Sequence, residues 1–129
     1  MVEIAQVLQA EKPAGSAQVV LFIPALDRDG QAIDQQSWVD EGLRAVGQAF
    51  GGGTAFPPGK GVWRDDERGG QLLFEATVMI LSFANPADLT ETALLNLRGF
   101  LWRLGKAGWQ GEVGVVIDGV YYGFTKYEE

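Results

Sequence analysis

Apolar residues in this chain recur with two different periods, and the switches between them mark out the elements. Gln18 to Pro24 (QVVLFIP) is a continuous apolar run rich in β-branched and aromatic residues. Such a run predicts a strand covered on both faces or placed at the centre of a sheet. Val39, Leu43, Val46 and Phe50 then follow at intervals of four, three and four, which lays them on one face of a helix. Ser37 is the expected N-cap, with Asp34 as the alternative for an earlier start, and Gly51-Gly52-Gly53 ends the helix. Gly61 to Arg64 is a short strand candidate, and Asp65 to Gln71 reads as the turn of a hairpin whose second arm is Leu72 to Phe83.

Period two splits that long arm. Leu72, Phe74, Ala76, Val78 and Ile80 form one face, expected beneath the helices; Leu73, Glu75, Thr77, Met79, Leu81 and Phe83 form the other. The second face is polar at its start and apolar at its end, so its apolar end calls for a cover. Asp88-Leu89-Thr90-Glu91 has the spacing of a capping box, with Asp in the place of the usual Ser or Thr. Leu94, Leu97, Leu101 and Leu104 carry the helix that follows, up to the basic Lys106 and the stop at Gly108. Glu112 to Ile117 and Val120 to Thr125 flank Asp118-Gly119, a hairpin signal, because a type I′ turn requires positive φ at both central residues.

The resulting order is β, α, β, β, α, β with one further strand closing a terminal hairpin. The commonest arrangement for that order is the ferredoxin-like split βαβ sandwich, an α+β fold whose antiparallel sheet carries both helices on one face. Residues 1–17, with a short helical pattern at Ile4, Val7 and Leu8 that runs into Lys12-Pro13-Ala14-Gly15-Ser16, are expected to form a loosely docked lead-in, and 18–129 a single domain.

Composition narrows the chemistry. The chain of 129 residues is 47% hydrophobic and has no cysteine and no histidine. That excludes disulfides, thiolate nucleophiles, His-based triads and the usual zinc ligand sets. Catalysis is left to Asp, Glu, Lys, Arg, Tyr or Ser. No metal and no cofactor is expected. A net charge of -7 works against phosphate backbones and anionic lipids, so neither a nucleic acid nor a membrane is an expected partner. The N-terminus lacks a basic segment followed by a long apolar run, and no stretch approaches the ~18 apolar residues of a membrane span; a cytoplasmic protein is expected.

Phe50 to Glu75 concentrates glycine, proline, charge and an aromatic anchor. It is not a P-loop: Gly53 and Gly59 are separated by five residues, Lys60 precedes Gly61 rather than Ser or Thr, and Pro57 and Pro58 have no N-H to offer a phosphate. The DxDG at Asp27 to Gly30 is not an EF-hand loop either, since glycine comes fourth and Trp38 stands where the twelfth-position carboxylate belongs. The candidate ligand-binding residues are Lys60, Trp63, Arg64, Asp65, Glu75 and Tyr122. Arg64 and Glu75 lie on the two arms of one hairpin and are candidates for a cross-strand pair. Glu75, beside the apolar end of its own face, is the candidate base. Tyr121 and Tyr122 fall on opposite faces of their strand, so at most one reaches any given pocket.

A helix ending in Phe50-Gly51, then Gly61-x-Trp63-Arg64-Asp65, a turn and a strand bearing Glu75 resembles small bacterial families of unassigned function with a ferredoxin-like fold. The terminal Ile117-Asp118-Gly119-x-Tyr121-Tyr122 extends the match. The resemblance implies that fold and marks this loop; it implies no chemistry.

The functional expectation is a homodimer associating through Met79, Leu81 and Phe83 on the open sheet face and binding a small ligand or protein partner without catalysis. The alternative is a small cofactor-independent acid-base enzyme of the isomerase or lyase type, with Glu75 as base and Lys60, Arg64 or a tyrosine holding a developing negative charge. A regulator within a defence or toxin module is a third reading.

Overall fold

The computed structural model describes residues 1–11 and 17–127. In chain order the elements are α1 (Ile4–Leu8), β1 (Ala17–Ile23), α2 (Gln35–Phe50), β2 (Thr54–Ala55), β3 (Gly59–Asp65), β4 (Gln71–Ala84), α3 (Glu91–Ala107), β5 (Val113–Ile117) and β6 (Val120–Phe124). Short 3-10 turns stand at Asp66–Arg68 and Pro86–Asp88. All strand pairings are antiparallel. The six strands run β2-β4-β1-β5-β6, with β3 on the same edge of β4 as β2 but further back along it. Six antiparallel strands with three helices make an α+β fold, as the periodicities predict.

α1 buries none of its residues. The expected Lys-Pro-Ala-Gly-Ser stop lies outside the described residues. Of the two N-caps offered for α2, it is Asp34, the earlier start, whose carboxylate accepts from the Ser37 N-H. The cap of α3 differs from expectation. Thr90, not Asp88, begins α3, accepting from the Ala93 N-H at 3.1 Å, because Pro86–Asp88 is taken up by a 3-10 turn of its own.

The core lies between one sheet face and the α2–α3 pair. Val19, Leu21 and Ile23 of β1, Val46 of α2, Ile80 of β4, and Phe100 and Leu104 of α3 are fully buried. Trp38 meets Phe100 edge to face, with ring centroids 6.4 Å apart. Ser82 points into this layer from β4 and is satisfied there, its hydroxyl donating to the Gly52 carbonyl at 2.6 Å. That bond ties down the glycine loop, and the loop contributes β2, a strand the sequence pattern does not announce.

The face assignment of β4 holds for only half its length. Val78 and Ile80 lie beneath the helices, but Leu72 and Phe74 are 59% and 60% exposed and Ala76 is exposed too. The reason is length. The 14 residues of β4 span ~46 Å at about 3.3 Å per residue, whereas the 16 residues of α2 span ~24 Å at about 1.5 Å per residue. The strand outruns its cover. Its first half, paired with β3 from Asp65↔Gln71 to Gly59↔Thr77, projects as a hairpin past the helix layer.

Candidate active site

Where β4 overhangs, its neighbour β1 has ended. The last ladder pair is Ile23↔Val78, and Pro24 has no N-H with which to continue. The amides of Ala25 and Leu26 go instead to a side chain: both donate to Glu75 Oε1, each at 2.8 Å. Gln35 closes the other side of the gap, its Nε2 donating to the Ile23 carbonyl at 3.0 Å and the Ala76 carbonyl at 2.8 Å. Among the described residues, none donates to Glu75 Oε2. The carboxylate is therefore fixed through one oxygen with the second uncommitted, as a group acting on a ligand requires.

The chain from Ala25 to Ile33 folds back on itself, with Ile33 N-H donating to the Ala25 carbonyl and Asp27 N-H to Gln31. Asp27 Oδ1 caps its tip, accepting from the Asp29 and Gln31 amides. Among the described residues no group of three or more Asp or Glu is arranged to hold a metal.

Glu75 opens into a cleft of about 380 Å³ on the sheet face away from the helices, within the range of small-molecule sites. Phe22, Trp63, Thr77, Glu112 and Tyr121 line it, and the loop at Asp27 and Arg28 walls one end. Tyr121 lies across β5: a Cβ on Gly114 would collide with its ring. Its hydroxyl donates to Glu112 Oε2 at 2.7 Å. Partial burial pushes that hydroxyl well above the ordinary tyrosine range, and the bond to the Glu112 carboxylate pushes it further. Tyr121 is thus a neutral aromatic wall with its proton committed, unable to hold developing negative charge near neutral pH.

A larger groove of about 870 Å³ lies on the opposite side, between α3 and β5–β6. Leu89, Leu94, Leu97, Leu101 and Phe124 make it almost wholly apolar. It lacks a carboxylate held by backbone amides, so the smaller cleft is the better candidate for chemistry.

The structure brings together only part of the expected set. Trp63 and Glu75 share the cleft. Lys60 and Arg64 do not, because their positions on β3 face the other way. Lys60 Nζ lies 5.6 Å from the Phe74 ring centroid. Arg64 pairs with Asp66 rather than across the hairpin with Glu75, since Glu75 stands opposite Gly61. Asp65 caps the 3-10 turn, accepting from the Glu67 amide, and pairs with Arg68 at 3.5 Å. Tyr122 lines the apolar groove and not the cleft, whereas Tyr121 borders both, against the expectation that at most one of the pair reaches a given pocket. The sequence held the signal for that choice. An Asp-Gly turn pairs Ile117 with Val120 and Val116 with Tyr121, and Val116 stands opposite Val20 on the open face. Met79 and Phe83 are exposed on that face, at 43% and 57%, with Leu81 half-buried between them.

No model of a known protein family matches this chain, and no curated protein matches it in sequence. Solved structures do match in shape. A phage SAM lyase in complex with S-methyl-5′-thioadenosine superposes with a TM-score of 0.67 at 17% identity, over 91% of this chain and 95% of that one. A phage SAM lyase in the apo state gives a TM-score of 0.59 at 16% identity, over 92% and 97%. At such identities the likeness is one of fold. It nevertheless corrects the expectation of a domain without catalysis, since these two structures, matched nearly end to end, are of an enzyme.

Proposed function

We propose that this chain is a small cofactor-independent lyase that cleaves a carbon–sulfur bond in a sulfonium nucleoside of the S-adenosylmethionine kind, with Glu75 as its working carboxylate. The observation that carries the reading is Glu75 itself, anchored through Oε1 by two backbone amides in an aromatic cleft, on a fold shared with SAM lyases.

The chemistry suits the residues available. A sulfonium is a cation, and an aromatic wall next to a carboxylate attracts cations. Two unit charges ~4 Å apart are worth about 1 kcal/mol in bulk water but about 4 kcal/mol near a protein surface, so a carboxylate set into a cleft grips better than one in open solvent. Arg28, at one end of the cleft, is turned onto Trp109 at 3.9 Å and donates to the Gln110 carbonyl, and among the described residues no ion pair joins it to Glu75. Trp63 and Tyr121 supply flat surfaces for a nucleobase.

The sulfur is its own leaving group. As its bond to the aminobutyryl carbon breaks, both electrons stay on sulfur and the positive charge is lost. A neutral thioether, S-methyl-5′-thioadenosine, departs with no need of an acid, consistent with a site that has no histidine. The carbon fragment balances by giving the proton on the adjacent carbon to Glu75 Oε2, forming a carbon–carbon double bond. The test is incubation of purified protein with S-adenosylmethionine and identification of both products by mass spectrometry. The thioether with an unsaturated amino acid supports the whole scheme. The thioether with a cyclic ester keeps the lyase and changes Glu75 from base to anchor, and no thioether removes the reading.

The strand order β5-β1-β4-β3, with α2 and α3 packed together on one sheet face, supports the ferredoxin-like form of the α+β fold. The exposed Met79 and Phe83, with Leu81, support a contact between two copies across the open face; light scattering showing a monomer at micromolar concentration would remove that contact. No helix of the described residues is long and apolar enough to cross a membrane, and this, together with the lack of cysteine, supports a cytoplasmic setting.

A further inference from the structure

We infer that Gln110 is a positioning residue for the Glu75 carboxylate, acting through the backbone of Leu26. The inference rests on the reading of Glu75 as the working group.

Gln110 follows α3 and is only 7% exposed, although it is polar. A buried amide is costly unless its donors are satisfied, and both are. Nε2 donates at 2.9 Å to the Leu26 carbonyl and at 2.9 Å to the Gly108 carbonyl. Leu26 is also one of the two residues whose N-H holds Glu75 Oε1. One residue of the loop is thus gripped from both ends, by Gln110 at its carbonyl and by Glu75 at its amide.

Gln110 is itself held in place. Its carbonyl accepts from Arg28 Nη2 at 2.6 Å and from the Tyr127 hydroxyl at 2.9 Å, and its N-H donates to the Gly105 carbonyl. The adjacent Trp109 accepts from the Arg28 amide, and its Nε1 donates to Asp29. Apart from the Gly105 bond, which seats Gln110 on α3 itself, these bonds join the Ala25-to-Ile33 loop or the C-terminal segment to the end of α3. The loop leaves the sheet ladder at Pro24 and closes on itself through the Leu26–Ala32 bridge; the clamp is what ties that closed loop, and with it the amides under Glu75, to the end of α3. A side chain that serves packing alone has no need of both donors on Gln110.

The test uses Gln110→Met, which keeps length and removes both donors, and Gln110→Glu, which keeps shape and replaces donors with acceptors. Amide exchange followed by NMR separates the loop from the core. The expected result is exchange at Ala25 and Leu26 faster by about 10-fold or more, while Val19 and Leu21 in β1 stay as protected as in the wild type. Turnover of S-adenosylmethionine, normalised to sites that bind S-methyl-5′-thioadenosine, falls about 10-fold with affinity for that thioether within about 2-fold, because misplacing a reacting group costs rate more than binding. Unchanged protection at Leu26 in whichever variant folds overturns the inference, as does altered protection with unchanged normalised turnover. If the wild type turns nothing over while Leu26 loses protection in the variants, the clamp stands and the lyase reading falls.

Discussion

From Val78 to Ala84 the inward positions of β4 are sealed beneath α2 and α3, while at Leu72, Phe74 and Ala76 the same alternation on the same strand stands in solvent. The difference lies in what is stacked above the strand, not in the strand's own pattern. The buried half serves the core. The overhanging half, released from that duty, sets Glu75 where β1 has run out, and the carboxylate takes over the amides that a ladder partner would have held.

Truncating a side chain in each half separates the two most directly. Ile80→Ala removes a fully buried side chain and is expected to cost about 2 to 5 kcal/mol, whereas Phe74→Ala, on the uncovered half, is expected to cost under about 0.5 kcal/mol. Urea denaturation of both variants measures this, and equal losses would mean that the overhang is packed in solution. Next in size is Gly114→Ala. The added methyl collides with the Tyr121 ring, so the wall of the cleft must shift, with an expected destabilisation of about 1 to 3 kcal/mol. Calorimetry should show S-methyl-5′-thioadenosine binding weakened in this variant and unchanged in Phe74→Ala.

The smallest effect depends on pH. Burial and the bond to Glu112 raise the Tyr121 hydroxyl above its ordinary value of 10.0, so the folded protein holds that proton more tightly than the unfolded chain does. The associated stability is fully present below pH 10 and drains away as pH climbs beyond it. Tyr127, also raised by burial, shares that alkaline window. Tyr121→Phe should therefore lessen the fall in melting temperature above pH 10 without abolishing it, and should leave the slope between pH 7 and 9 untouched.

Much of the architecture was legible in local pattern. The intervals through Val39, Val46 and Phe50 marked α2, and the Asp118-Gly119 turn, with φ of 51° and 84°, is the one its sequence demands. Glu75 and Trp63 were legible as site candidates because they combine charge and aromaticity on the open face of one hairpin. Lys60, Arg64 and Tyr122 were not separable from them by proximity in sequence, since only the register of β3 and β6 decides which side each takes. The loop amides under Glu75, at a separation of 49 and 50 residues, and the clamp at Gln110 left no local trace. Both arise where β1 ends early against a longer neighbour, a property of tertiary arrangement.

Adjacent residues Phe74 and Glu75 point to opposite sides of β4, which makes them matched probes of the central claim. The decisive measurement is the rate of S-methyl-5′-thioadenosine release from S-adenosylmethionine by the wild type, Phe74→Ala and Glu75→Gln. The account predicts equal rates for the first two and a fall of at least about 100-fold in the third, the loss expected when a positioned catalytic carboxylate is neutralised. Release by Glu75→Gln at the wild-type rate would contradict it.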